Sequence, residues 1–274
     1  FLANIRETNA IAHVVRCFED KDVVHVTGKV DPIDDVVTIN TELALADMET
    51  IEKQLYKAER NAKTNEKSAI LKRETLKKVK AHLDEGAPVR TVMLDQNEQK
   101  FIKELQLLSA KPVMYIANID EQSISDNEYI NTLKEIARED GSEVVEVCAS
   151  LEAEIAQLDE QDKEDFLSDL GFSEPGLNRV IRCSYALLEL QTFFTAGPKE
   201  VRAWTTKINA LAPRAAAAIH TDFERGFICA EVIAYEDFIS KSGEQGAKEA
   251  GLLRLEGKDY IVQEGDVMHF RFNV

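Results

Sequence analysis

Three apolar runs of strand length, set among segments of helical periodicity, constrain the fold of the first 190 residues more than any other feature. The runs lie at residues 10–18, 112–117 and 143–149. Strands that are buried on both faces of a sheet have such short, nearly continuous apolar sequences. Because helical segments separate the runs, strands and helices follow one another in the order of a parallel sheet, and we expect an α/β fold.

A helical hairpin is expected between residues 41 and 83. Apolar residues on its outgoing half recur at alternating intervals of three and four, at Met48, Ile51, Leu55, Ala58 and Ala62. The return half has its own apolar positions, at Ala69, Leu76, Val79 and Leu83. A narrow stripe with this spacing is typical of an antiparallel two-helix coiled coil.

After residue 190 the chain changes to short strand-like runs, several of them separated by turns that contain glycine. The runs lie at residues 191–196, 230–234, 260–262 and 267–272. Two helices are expected between them, at residues 199–209 and 221–227. This mixture predicts a separate α+β module at the C-terminal end of the sequence.

Charge and composition exclude several classes of protein. The chain has 274 residues, which suggests two or three domains, and its net charge is −17. Such an acidic chain is not expected to coat DNA, although a local basic patch can still bind RNA. No apolar stretch approaches the ~20 residues of a membrane span, so no membrane partner is expected. The four cysteines are far apart, which predicts reduced thiols in the cytoplasm and no metal site.

The second apolar run ends in a polar pair, Asn118 and Glu121. Their spacing resembles the Asn-Lys-x-Asp box with which GTPases bind guanine, but Glu121 replaces the Asp and Ile119 replaces the Lys. The Asp accepts hydrogen bonds from two guanine N–H groups, whereas adenine has an acceptor at the matching ring nitrogen. The pair therefore predicts a purine site that prefers ATP, with Ile119 as an apolar cover for the base. A capped turn at the end of a strand is the alternative.

Three small residues lie at the end of the third apolar run, namely Cys148, Ala149 and Ser150. They resemble the Ser-Ala-Lys element that closes a nucleotide base pocket with backbone N–H groups. Because the carboxyl ends of neighbouring parallel strands meet at one edge of a sheet, we expect them to form the second wall of the purine site.

Four longer motifs resemble the YchF/Obg-like ATPase family: FLANIRET at residues 1–8, TAGPKEVRAW at 195–204, HTDFERGF at 220–227 and GDVMHFRF at 265–272. The resemblance implies a P-loop G domain interrupted by a helical coiled-coil arm and followed by a TGS domain of β-grasp fold. It also implies ATP hydrolysis coupled to the ribosome or to a translation factor. The expected boundaries are 1–47 and 94–188 for the two G-domain segments, 48–93 for the arm and 189–274 for the TGS domain.

One part of the family pattern does not occur in the sequence. Gly28-Lys29-Val30 lacks the upstream glycine and the hydroxyl residue of the phosphate-binding loop G-x-x-x-x-G-K-S/T. We therefore expect a fragment of a longer ATPase, with the Mg²⁺ ligands in a missing N-terminal part, and no ATP hydrolysis by the fragment alone. The alternatives are a non-catalytic ribosome- or RNA-binding module, or a GTPase with a degenerate base box.

His25 is the candidate catalytic residue. Small GTPases orient the attacking water with a glutamine, and the resemblance implies an apolar residue at that position. A histidine in the loop after the first strand could orient the water by hydrogen bonding instead. An ordinary loop histidine is the alternative.

The arm is the candidate surface for ribosomal RNA. Residues 49–85 carry ten Lys or Arg against seven Asp or Glu, in contrast to the acidic chain as a whole. Five of these cations lie on the return half, at Lys72, Arg73, Lys77, Lys78 and Lys80. Contact with RNA phosphates and a solvated coiled-coil face are both consistent with this pattern. In the C-terminal module we expect Arg202 on the surface and Trp204 in the core.

Overall fold

The structure is a computed structural model that describes residues 2–20, 28–61, 66–121, 127–170 and 172–273. The chain divides into two compact units, Phe1–Leu187 and Leu188–Val274. In the described residues no helix is long and apolar enough to cross a membrane.

The first unit contains a three-stranded parallel sheet, which confirms the predicted α/β fold. Its strands are β1 (Ile11–Arg16), β2 (Val113–Asn118) and β3 (Glu143–Val147), with β2 in the centre. Tyr115 and Ala117 of β2 are fully buried, because helices cover the central strand on both faces.

Helices surround this sheet, and their ends follow local capping rules. They are α1 (Leu2–Glu7), α4 (Gln96–Glu104), α5 (Glu128–Asp140), α6 (Ala149–Ile155), α7 (Glu160–Asp169) and α8 (Gly176–Leu187). Asp95 begins α4 with a capping box, and Gly141 ends α5 in the left-handed conformation. Asp159 begins α7 by accepting hydrogen bonds from the backbone N–H groups of Gln161 and Asp162.

The antiparallel helical region consists of α2 (Pro32–Asn61) and α3 (Lys67–Asp84), and a short 3₁₀ helix (Val89–Thr91) follows it. Ile51 of α2 packs with Leu76 and Val79 of α3 in one apolar cluster. Helix α2 is continuous through residue 47, where the sequence placed a domain boundary, since Val36 near its start packs in the core of the sheet.

The second unit is a five-stranded sheet in the order β5-β4-β8-β6-β7. The strands are β4 (Leu190–Ala196), β5 (Val201–Lys207), β6 (Phe227–Ile233), β7 (Arg254–Glu256) and β8 (Val267–Phe272). The last strand lies parallel to β4 and between two antiparallel strand pairs, β4 with β5 and β6 with β7, which is the arrangement of a β-grasp sheet. Short helices accompany it: α9 (Ala212–Ala216), α10 (Thr221–Arg225), α11 (Tyr235–Ser240) and α12 (Glu244–Glu249).

The helix expected at residues 199–209 is wrong, because strand β5 occupies most of this segment. Every residue of β5 pairs with β4, and Trp204 lies opposite the fully buried Phe193. Cross-strand packing of an aromatic pair outweighs the weak helical pattern of the segment. Trp204 packs against the core as expected, and the exposed Arg202 lies over its ring at 4.1 Å.

Candidate functional site

The candidate base site lies at the carboxyl edge of the parallel sheet. Asn118 is the last residue of β2 and pairs in register with Val147, the last residue of β3. The loop after β2 therefore runs beside Cys148, the residue that begins α6. The parallel register thus brings together the two segments that the sequence singled out, residues 118–121 and 148–150.

Asn118 ties three segments of this edge together. Its side-chain Oδ1 accepts a hydrogen bond of 3.3 Å from the backbone N–H of Ala149. Its backbone carbonyl accepts a hydrogen bond of 2.8 Å from the N–H of Cys17, which follows β1. The side chain thereby fixes the spacing between the loops after β2 and β3.

Glu121 and Ser150 form a second link between the same two loops. The Ser150 hydroxyl donates to Glu121 Oε1 at 3.3 Å, and Cys148 Sγ lies 3.2 Å from Ser150 Oγ. Glu121, Ala149 and Ser150 are all exposed. An exposed carboxylate beside a hydroxyl and a helix N-terminus can accept a hydrogen bond from an amino group of a ligand while the hydroxyl orients it.

Ile119 does not present its side chain at the surface of the site. It is only 5% exposed and belongs to the apolar core together with Ala117 and Leu151. Its backbone N–H donates to the carbonyl of Val147 at 2.9 Å. The side chain of Ile119 therefore anchors the loop in the core, and Asn118 and Glu121 form the polar surface of the loop.

Two residues that the sequence interpretation missed also shape this edge. Asn127 is buried, donates from Nδ2 to the carbonyl of Cys17 at 2.7 Å, and caps α5 with its Oδ1. Asp120 has a buried carboxylate oxygen, Oδ1, that has no hydrogen-bond partner within the described part of the chain. An Asn or Asp just before a helical pattern is an ordinary capping signal, so only the fold reveals its position at the site.

The Cys17 thiol beside this edge is not a reactive group. Burial, together with the nearby carboxylates Glu146 and Asp35, raises the pKa of Cys17 to about 12. A thiol with so high a pKa stays protonated at neutral pH and packs as a small apolar side chain.

His25, the candidate catalytic residue, lies outside the described residues, as does the rest of segment 21–27. The described residues of the sheet edge therefore include the candidate base site but not the candidate catalytic residue.

Comparison with known proteins gives the chain its family. Over all 274 residues it is 60% identical to the protein of Haemophilus influenzae named Ribosome-binding ATPase YchF, and it covers 76% of that protein. The chain belongs to the YchF family. Residues 190–273 also match the YchF-GTPase C-terminal family, described as "Protein of unknown function (DUF933)".

Solved structures agree with the YchF assignment. The structure of the Schizosaccharomyces pombe YchF GTPase is 32% identical, with a TM-score of 0.86, over 98% of this chain and 74% of that one. A GTP binding protein from Pyrococcus horikoshii OT3 has a TM-score of 0.61 at 20% identity, over 99% of this chain and 81% of that one, which shows a shared fold alone. Relatives of this chain thus include one named as an ATPase and one named as a GTPase.

Proposed function

We propose that this chain contributes the base-binding edge and a ribosome-docking arm to a cytoplasmic ATP-binding and ATP-hydrolysing protein of the YchF type. Its relative from Haemophilus influenzae bears the name of a ribosome-binding ATPase. The observation that carries the site is the pair of hydrogen bonds, from Ala149 to Asn118 and from Ser150 to Glu121, which joins two loops at the carboxyl edge of the sheet. Ligands of open α/β sheets bind at this edge.

Adenine is the base that this edge suits better. A carboxylate that Ser150 holds to one side can accept from the exocyclic amino group of adenine without facing the acceptor nitrogen of its ring. The lysine of the guanine box is replaced by Ile119, whose burial supports the loop instead of covering the base. ATP is therefore proposed as the nucleotide, with Mg²⁺ as its counterion.

The test is an amide-resolved NMR titration of the 274-residue chain with ATP and with GTP. ATP is expected to shift the amides of residues 118–121 and 148–150, and GTP to shift them less at equal concentration. Glu121→Asp should reduce this difference, whereas Glu154→Asp, an exposed change on the neighbouring helix α6, should leave it unchanged. Shifts that are equal for both nucleotides, or that fall elsewhere in the chain, would contradict the proposed site.

Hydrolysis needs groups beyond this edge. The sequence contains no G-x-x-x-x-G-K-S/T loop, so we propose that the 274-residue chain alone does not hydrolyse ATP. In a protein of the relatives' full length, His25 is proposed to orient the attacking water.

His25→Ala in such a full-length protein should lower the single-turnover rate of ATP hydrolysis, on the order of 10²-fold, with little change in ATP affinity. A loss confined to the transition state has this kinetic pattern. A rate within a factor of two of the unsubstituted protein would return His25 to the role of an ordinary loop residue.

The second candidate function is docking on the ribosome without catalysis, through those cations of the arm that no carboxylate offsets. Most cations that the sequence singled out have acidic neighbours: Arg73 and Lys77 lie beside Glu74, Lys78 beside Glu98, and Lys80 beside Glu52. Lys72 lies over the ring of Phe101 at 5.2 Å. Toward the ends of α2 and α3, Lys57, Arg60 and Lys67 have no acidic partner in the described structure, so we propose these three as the contacts with RNA phosphates.

A further inference from the structure

A groove with a cavity volume of about 700 Å³ lies in the first unit, at the end of the sheet opposite the base site. Its walls are the end of α1, the 3₁₀ helix after the arm, and α4. Lys111 and Pro112, which precede β2, close one side of it, whereas the base site lies beyond Asn118 at the other end of β2. The volume falls within the roughly 300–1,000 Å³ that small-molecule sites occupy.

The floor of the groove is apolar. Val89, Ile102 and Leu107 line it and are 3%, 4% and 1% exposed. Val92 and Leu94 add partly buried apolar surface. Because Val89, Ile102 and Leu107 are already almost fully buried, an apolar body in the groove would cover chiefly the remaining exposed surface of Val92 and Leu94.

The rim of the groove is cationic. Arg6, Lys103 and Lys111 line it, against one acidic residue, Glu7, among the described lining residues. Burial lowers the pKa of Lys111. The nearby Asp47 carboxylate raises this pKa in part, and the Arg6 guanidinium lowers it further. Lys111 Nζ donates to two backbone carbonyls, those of Arg6 and Thr8, at 3.1 and 2.5 Å. The described lining of the groove therefore holds more cations than carboxylates.

A fourth cation of the groove lining, Arg90, is incompletely satisfied. Its Nη2 pairs with Asp140 Oδ2 at 2.6 Å, but Nε and Nη1 are buried without a hydrogen-bond partner in the described residues. The Asp140 carboxylate offsets the charge of Arg90, so this residue adds two unsatisfied N–H donors to the groove lining and not a net positive charge.

We propose that this groove binds a small amphiphilic anion, with an aromatic or aliphatic body on the apolar floor and one anionic group at Arg6 and Lys103. The site is separate from the proposed nucleotide edge. A groove of this volume with a few cations in its lining fits one compact ligand, whereas nucleic acid needs cations spread along a surface.

The probe for this site is 8-anilino-1-naphthalenesulfonate, an aromatic sulfonate whose fluorescence rises in apolar surroundings. Titration of the 274-residue chain should show one saturable class of sites. The double change Arg6→Gln, Lys103→Gln should raise its dissociation constant about fivefold or more, since about 1 kcal/mol of charge interaction corresponds to that factor. Lys111 is left in place because it holds the backbone of α1.

Lys72→Gln provides the matched control. Lys72 is also a cation beside an apolar side chain, in a separate groove of about 470 Å³ between α2 and α3. This variant should bind the probe within twofold of the unsubstituted chain. Circular dichroism melting should give the same midpoint for all three proteins, because Arg6 and Lys103 have no buried ion pair in the described structure.

Competition with aliphatic compounds tests the need for charge. Decanoate should displace the probe, and decanol, which has a similar apolar body without the charge, should displace it at least fivefold less well. Equal displacement by both compounds, or an unchanged dissociation constant in the Arg6→Gln, Lys103→Gln variant, would overturn the proposal.

Discussion

At the scale of single residues, the burial of Ile119 is the point on which sequence and structure differ most. The sequence places an apolar residue at the lysine of the guanine box, and its side chain was expected to face the base. In the structure the side chain packs beneath the loop, at 5% exposure. Local sequence could predict the polar pair Asn118 and Glu121. Whether the side chain of Ile119 between them faces the core or the solvent depends on the packing of α6 against the sheet.

Ile119→Lys therefore should destabilise the first unit by about 2 kcal/mol or more, since it places a charge in an apolar core. Ile119→Leu should cost less than about 1.5 kcal/mol, because it conserves volume and polarity. Urea unfolding followed by far-UV circular dichroism measures both. Equal, small effects of the two changes would show that the side chain faces solvent and is free to cover a ligand.

Tyr115 adds a pH-dependent contribution to stability. Its hydroxyl donates to Asp140 Oδ2 at 2.8 Å, and burial, with the nearby Asp140 carboxylate, raises its pKa from 10.0 to about 12. The unfolded chain loses this proton first, so the stabilisation is complete below pH 10 and is lost as pH rises toward 12.

Tyr115→Phe should cost about 1.5–3 kcal/mol near pH 8, the range for a hydrogen bond to a charged group. It should also make stability fall less between pH 10 and 12. Urea unfolding at a series of pH values measures both effects. If the free energy of unfolding falls equally in both proteins between pH 10 and 12, Tyr115 is not the source of that fall.

At the scale of elements, polar contacts join the arm to the sheet. Asp47 of α2 is fully buried and accepts hydrogen bonds from the backbone N–H groups of Leu108 and Ser109 and from the Ser109 hydroxyl, at 2.7–2.8 Å. Arg90, in the 3₁₀ helix that follows α3, pairs with Asp140 at the end of α5. Periodicity predicted the helices of the arm, but these contacts span 50 or more residues and leave no local pattern.

Asp140→Asn should destabilise the chain by about 3–5 kcal/mol, because Arg90 would remain buried without its counterion. The side chains of the pair are 8% and 10% exposed, so solvent cannot replace the lost partner. The double change Arg90→Met, Asp140→Asn should recover much of this loss. If the double variant is less stable than Asp140→Asn alone, the ion pair is not the source of the effect.

The same scale shows where sequence patterns compete. The segment that forms β5 has residues compatible with a helix, and only its pairing with β4 decides the outcome. The cations of the return helix α3 formed a basic cluster in sequence, yet in space carboxylates from α2, α3 and α4 lie beside most of them. The parallel sheet itself was predictable, because its strands are short apolar runs separated by helical segments.

At the scale of the whole molecule, the chain belongs to the YchF family, and its first unit is proposed to provide both a nucleotide edge and a ribosome-docking arm. Retention on the ribosome is the property that these parts are proposed to share. Because phosphate contacts release counterions, such retention should weaken steeply as salt concentration rises.

Sedimentation of the 274-residue chain with Haemophilus influenzae ribosomes, over a range of salt concentrations, tests this account most directly. We predict that the chain sediments with ribosomes at low salt. In the triple variant Lys57→Gln, Arg60→Gln, Lys67→Gln, the slope of the logarithm of the binding constant against the logarithm of the salt concentration should be smaller in magnitude by about 2–3. The matched variant Lys77→Gln, Lys78→Gln, Lys80→Gln, which removes cations that already have acidic neighbours, should sediment nearly as the unsubstituted chain does. Absence of co-sedimentation at any salt concentration, or identical salt dependence for the chain and both variants, would contradict the proposed docking role of the arm.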